Sequence, residues 1–165
     1  MKGLKIIPAT RSDTHLIAAI LSEATKHKLA HDDNAWGTEE FTAEEIEEQI
    51  AHSSTYLVYL YDELVGTVAL QWADEQNWGP QPPDAGYMHR LAVRHGRHGQ
   101  DIGKAIIEWA RKEVTGKNRS FLRLDCDARN KSLCAYYEDQ GFIRVSSKQL
   151  AHHGEYIAGL YQRSV

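Results

Sequence analysis

Residues 86–111, GYMHRLAVRHGRHGQDIGKAIIEWAR, change character midway, from an apolar strand-like run through a glycine-rich basic turn into an amphipathic helix-like run. Few folds accommodate that order. A strand feeding a helix through a tight turn starts a crossover to a parallel neighbour, so the sheet should contain a parallel pair with a helix on its face. The turn also gathers unpaired N–H groups at a helix start, where the helix dipole favours anions. A phosphorylated cofactor is the ligand such a turn suggests.

The flanking segments can be read by period and punctuation. Residues 5–8 are apolar and end on Pro8, a short first strand, and residues 10–13 offer helix N-caps. Leu16, Ile17, Ile20, Leu21 and Ala24 recur at helical spacing within residues 13–28. Thr42 and Glu45 have capping-box spacing, so a second helix should run to about His52. Residues 55–61 and 64–71 are β-branched and aromatic runs joined by Asp62-Glu63, an antiparallel hairpin in which Gly66 marks a bulge or a close backbone approach. Residues 73–84 hold three of the four prolines and read as a loop over the surface.

Residues 85–93 form the central strand, and a helix from Gly99 or Gly103 to about Thr115 has Ile102, Ala105, Ile106, Trp109 and Ala110 on its core face, with Gly116 as its C-cap. Residues 120–126 alternate Leu122, Leu124 and Cys126 against Phe121, Arg123 and Asp125; residues 131–140 make a helix closed by Gly141; residues 142–148 and 155–162 are the last two strands. The order β α α β β β α β α β β describes one α/β domain over residues 1–165, built on a mixed sheet.

Charge and cysteine usage exclude several classes. A net charge of −4 argues against general nucleic-acid binding and leaves only a local basic patch at residues 94–104. No segment is apolar enough to span a bilayer, and residues 1–13 carry no secretory pattern, so a cytoplasmic protein without a membrane partner is expected. Cys126 and Cys134 read as reduced, buried small hydrophobes. Nine histidines, chiefly His89, His95, His98, His152 and His153, are not spaced like a structural zinc site, and no metal is expected.

The glycines at 96, 99 and 103 fit neither a Walker A loop nor a dinucleotide fingerprint. Instead HGQDIG at residues 98–103, placed after Leu91-Ala92-Val93, resembles the acyl-CoA motif of the GNAT N-acetyltransferase superfamily: Arg or Gln, two residues, Gly, one residue, then Gly or Ala. His98 stands where Arg or Gln is usual, Asp101 where the first glycine is usual, and Gly103 is kept. Asn130, Tyr137, Gly141 and Phe142 resemble the family's second motif of Asn, a short helix, Tyr and Gly-Phe.

The resemblance implies an α/β (α+β) fold, a mixed and mostly antiparallel central sheet flanked by helices on both faces. It implies an N-acetyltransferase that moves acetyl from acetyl-CoA to a primary amine of a small molecule by direct attack in a ternary complex. Leu91, Ala92 and Val93 would grip pantetheine and supply an oxyanion donor. His98, Gly99, Gln100, Asp101, Ile102, Gly103 and Lys104 would meet the pyrophosphate. Asn130 would lie beside pantetheine, and Tyr137, with Tyr136 as the alternative, would be the general acid. An Asp101 carboxylate should repel pyrophosphate, a cost that Arg94, Arg97 and Lys104 would offset. The two departures leave a second reading, a non-catalytic acyl-CoA-binding or interaction module on the same fold.

The general base is read from alternation. Tyr87, His89, Leu91 and Val93 should share one strand face, and His89 titrates nearest neutrality; Tyr87, Asp84 and a water chain are the alternatives, and a hydrogen-bonded core histidine is the bland one. Trp36 and residues 72–78, with Asp32, Asp33, Asp74 and Glu75, would suit a cationic amine; the alternative is exposed loop acids with aromatics that anchor the loops. Cys126 is the nearby thiol, and its strand position favours packing over nucleophilic attack. Exposed edges of such a sheet suit pairing in a homodimer.

Overall fold

The computed structural model describes residues 1–149 and 157–165. Strand β1 (Leu4–Pro8) leads through a single 3-10 turn into α1 (Thr14–Leu29), followed by α2 (Ala43–His52), β2 (Ser54–Leu60) and β3 (Glu63–Gln71). The capping box forms as expected: Thr42 Oγ1 accepts from the Glu45 amide at 3.3 Å and the Thr42 amide donates to Glu45 Oε2 at 2.7 Å. Leu60 pairs with Glu63, so the hairpin turn is Tyr61-Asp62, one residue earlier than the sequence run suggests. Tyr61 takes φ +53° there, and its amide donates to Gly3 O at 2.8 Å. Gly66 is a close approach, since a Cβ would lie 2.5 Å from Ala92 O.

The loop expected to ride over the surface instead contains a one-turn helix, α3 (Glu75–Trp78), whose N-cap Asp74 is buried. Then come β4 (Ala85–Val93), α4 (Ile102–Gly116), β5 (Phe121–Asp127), α5 (Lys131–Asp139), β6 (Ile143–Gln149) and β7 (Ile157–Ser164). Gly116 stays inside α4, and Asn118, at φ +56°, makes the left-handed turn that ends it. Residues 155–156 of the last expected strand, and His152 and His153, lie outside the described residues.

The seven strands are ordered β1-β2-β3-β4-β5-β7-β6, with β4–β5 parallel and the other pairs antiparallel. α1 and α2 cover one face through Ile17, Ile20, Leu21 and Ile46 against Leu57 and Ala92. α4 and α5 cover the other through Ile106, Ile107, Ala110, Val114 and Cys134 against Val68, Leu70, Met88, Leu122 and Leu124. Each buried Ile, Leu, Val or Met among them contributes about 1.5–3 kcal/mol by leaving water. Gly86 lets α4 press onto β4, because a Cβ would meet Val114 Cγ2 at 2.5 Å. Among the described residues no helix is long and apolar enough to cross a membrane.

Two irregularities of β4 create the site. Its pairing with β5 covers only Ala85–Phe121 to Tyr87–Arg123, after which the strands part. On the other edge Ala69 pairs with His89 but Thr67 with Ala92, so Arg90 and Leu91 oppose Val68 alone, a bulge with Arg90 at φ +49°. The extra residue reverses the alternation. Leu91 and Val93 pack toward the α4 core, whereas His89 keeps the α1–α2 side and Arg90 joins it, its Nη1 donating to Gln49 Oε1 at 2.9 Å. The expected single face for residues 87, 89, 91 and 93 is therefore broken after His89.

Candidate active site

Where β4 and β5 part, His89 lies between two carboxylates. Its Nε2 is 3.1 Å from Asp74 Oδ2 and its Nδ1 is 3.9 Å from Asp125 Oδ1. Asn77 holds both acids, its amide donating to Asp74 Oδ1 and its Nδ2 to Asp125 Oδ1, each at 3.2 Å. Burial alone would depress the imidazolium, but the contact with Asp74 and the charge of Asp125 outweigh it, and the His89 pKa rises above the ordinary histidine value. Because the acids bracket opposite ring nitrogens, the arrangement suits a ring that carries and releases a proton better than a shared metal ion.

The other candidates for the base are committed elsewhere. Buried Arg123 donates from Nη1 to Tyr87 Oη at 2.9 Å, lies 3.2 Å from Asp84 Oδ1, and donates from Nε to Gln162 Oε1 at 2.8 Å. Its guanidinium also covers the Trp78 ring at 5.1 Å, pinning the α3 segment that delivers Asp74. Trp72 turns to the α4 side beneath Lys117 and Arg119, and Glu75 is exposed, so neither builds the expected acceptor pocket. Asp33 is buried in an ion pair with Lys28 at 2.6 Å. Trp36, Phe41, Asp32 and Asp74 do line the cleft.

That cleft, about 1670 Å³, runs from Asp74 and His89 along residues 88–93 of β4 and 124–126 of β5 to the start of α4. Tyr137 lines it from α5, buried edge-on against Phe142. Burial, with Cys126 and Tyr136 beside it, raises the Tyr137 hydroxyl well above the ordinary tyrosine value, so it stays protonated. Burial likewise raises the Cys126 thiol, with Cys134 Sγ 4.0 Å away, which removes it as a nucleophile. Asn130 caps α5, accepting from the Leu133 amide at 3.0 Å, and its Nδ2 donates to Asp33 Oδ2 at 2.7 Å. Its carboxamide thus ties α5 to the α1–α2 loop at the cleft wall.

At the far end, Gly99, Asp101, Ile102, Gly103 and Lys104 line the cleft, while Gln100 is exposed and outside it. Asp101 adopts φ +56°, ψ 16°, the left-handed conformation that explains why glycine is the easy residue there; Asp is among the side chains that tolerate it. Gly96 and Gly99, at φ +79° and +76°, have open space where a Cβ would stand, leaving the turn's backbone accessible. Gly103 admits the Tyr136 hydroxyl, 2.6 Å from where its Cβ would be. Arg94 and Arg97 are already paired, with Glu23 (Nε–Oε2 3.3 Å) and Glu63 respectively. His98 Nε2 lies 3.0 Å from Val93 O. An open turn feeding the N-terminus of a fifteen-residue helix fits an anionic cofactor.

Asp125 and Arg123 could have been found from the alternation of residues 120–126, which places both opposite the apolar face. Asp74, three residues before Asn77, carries an N-cap signal that the surrounding prolines obscure.

A sheet parted between its fourth and fifth strands, with an anion turn at one end of the opening and titratable groups within it, fits an acyl-CoA-dependent transferase. The acetyltransferase (GNAT) family matches residues 16–142, and the chain belongs to that family. It is an acyltransferase, and acetyl-CoA is the family's acetyl donor. The chain is 24% identical over 159 residues to the uncharacterized N-acetyltransferase YesJ of Bacillus subtilis (strain 168), covering 92% of this chain and 88% of that protein. Its fold is similar to a GNAT-family acetyltransferase from Listeria monocytogenes 4b F2365 (22% identity, 98% and 95% of the two chains, TM-score 0.79). It is also similar to aminoglycoside acetyltransferase AAC(6')-Ib solved with coenzyme A and kanamycin (15% identity, 98% and 94%, TM-score 0.77).

Proposed function

We propose that this acyltransferase acetylates the primary amine of a small cationic molecule, by direct attack in a ternary complex, with His89 as general base and Tyr137 as general acid. The observation that carries the reading is His89 held between Asp74 and Asp125 at the opening of β4 from β5. An ammonium entering the cleft is attracted by the same two carboxylates. Its positive charge opposes that of a protonated ring, so the neutral His89 imidazole is the form that accompanies the bound acceptor, and it takes the proton that the ammonium must lose before its nitrogen can attack.

Acetyl-CoA supplies an acetyl group activated as a thioester. Leu91 and Val93 lie on the β4 edge that has left β5, where their backbone groups suit pantetheine and the carbonyl oxygen of the transferred group. The turn at residues 99–104 and the start of α4 suit the pyrophosphate. Tyr137, kept protonated by burial, supplies a proton to the departing sulfur. AAC(6')-Ib, solved with kanamycin, supports an amine-bearing small molecule as the acceptor class.

The test is a screen of primary amines with acetyl-CoA, reading free CoA thiol. Acetylation of mono- and polycationic amines is expected. Binding of acetyl-CoA without thiol release across the panel would favour the non-catalytic reading instead.

A further inference from the structure

The basic residues of the phosphate turn leave a deficit. Arg94 and Arg97 are neutralised by Glu23 and Glu63, and Asp101 adds a negative charge beside the helix start. Four imidazoles gather at that place. His27, in the last turn of α1, has its ring centroid 4.5 Å from His31, 5.0 Å from His98 and 6.4 Å from His95, and His95 and His98 are 6.3 Å apart. All four line the same cleft as Gly99, Gly103 and Lys104.

Two of these rings have one nitrogen committed to a backbone carbonyl: His31 Nδ1 to His27 O at 2.8 Å and His98 Nε2 to Val93 O at 3.0 Å. A carbonyl accepts only a proton-bearing nitrogen, so in the neutral ring the other nitrogen is a bare lone pair with nothing to offer an anion. Protonating that second nitrogen creates both a donor and a positive charge. We propose that His27, His31, His95 and His98 form a histidine cradle for a phosphate group of the cofactor, which tightens its grip on the anion by taking up protons. The inference rests on the cofactor's phosphates lying at this turn, as in the function proposed above.

The charged groups facing the cradle are Glu23, Lys28 and Asp32 from α1 and its end, Arg94 and Arg97 from the turn, Glu63 from β3, and Asp101 and Lys104 from α4. Partial burial, then the neighbouring His31, His98, His95 and Lys28, hold the His27 pKa below the ordinary value, so without an anion His27 resists charging. A bound phosphate reverses that balance. Each proton taken up makes affinity rise about tenfold per unit fall in pH over the range in which the rings titrate.

Calorimetry with EDTA-treated protein tests this, titrating CoA and 3'-dephospho-CoA at pH 7 in two buffers of different ionisation enthalpy, and again between pH 6 and 8.5. The expected result is net proton uptake on binding and tighter binding at low pH, with both lost in the double variant His27→Gln/His31→Gln. Dephospho-CoA has no titrating phosphomonoester. Uptake retained with it assigns the cradle to the diphosphate, and uptake confined to CoA and sensitive to the variant assigns it to the 3'-phosphate. Equal uptake by wild type and variant, or binding without uptake, overturns the inference while leaving the cofactor site in place. Absence of CoA binding at every pH overturns the cofactor site itself. The variant residues are exposed, and an unchanged melting temperature verifies its fold. His95→Gln/His98→Gln provides a second pair with the same expected loss.

Discussion

Histidines occupy both ends of one cleft and behave oppositely. At the inner end a single imidazole lies between Asp74 and Asp125, and its pKa rises despite burial. At the outer end four imidazoles crowd one another, and partial burial together with those neighbours lowers the His27 pKa. The ring is the same, and its neighbours decide whether it holds a proton. Carboxylates beside His89 favour its protonated form, and the neighbouring imidazoles and Lys28 disfavour that of His27.

Replacing His89 by Gln should produce the largest effect, a loss in kcat/KM of about 100- to 10,000-fold, while calorimetric CoA affinity stays within about twofold. A comparable loss of CoA binding would move His89 from the chemistry to the cofactor end. Tyr137→Phe should lower kcat by about a hundredfold or less and also spare CoA binding; unchanged turnover would shift the acid role to Tyr136 or to water.

Asp74→Asn bears more narrowly on the inner ring. In the wild type the rate should rise with pH as His89 loses its proton, through a value above that of ordinary histidine. Removing the Asp74 charge should move that limb to lower pH, and a limb that stays in place would mean that another group titrates. Gly103→Ala probes the outer end, because the new Cβ displaces the Tyr136 hydroxyl from the turn. CoA should bind severalfold more weakly, while the helix is favoured by about 0.5–1 kcal/mol. Smallest is a stability effect. His89, with its folded pKa raised, contributes stability fully present below the unfolded value of about 6.5 and lost as pH rises through the folded value. Melting temperatures across that window should lose this component of slope in His89→Gln.

The two ends also differ in how much of them the chain spells out. The outer turn is local: the glycines at 96, 99 and 103, the strand before them and the helix after them are contiguous, and the strand and helix on either side of the turn followed from periodicity. Its electrostatics were not legible, because Glu23 and Glu63, which neutralise the arginines, and His27 and His31, which join the turn's histidines, come from α1, the turn after it and β3.

The inner end is almost wholly a tertiary product. His89 stood out as the group nearest neutrality, but alternation placed it with Leu91 and Val93, and only the Arg90 bulge separates them. Asp74 seemed part of a proline-rich surface loop until Arg123, from a strand beyond α4, drew Trp78 and Asp84 down onto the sheet.

By itself the sequence determined what depends on neighbours along the chain: helices, strands, caps, the anion turn and the resemblance to acetyltransferases. The tertiary structure decided the opening of β4 from β5, the bulge that re-aims β4, and which charges face each histidine. Pairing register and side-chain charge interactions act between segments far apart in the chain, and a titrating group takes its pKa from whatever the fold brings within a few ångströms.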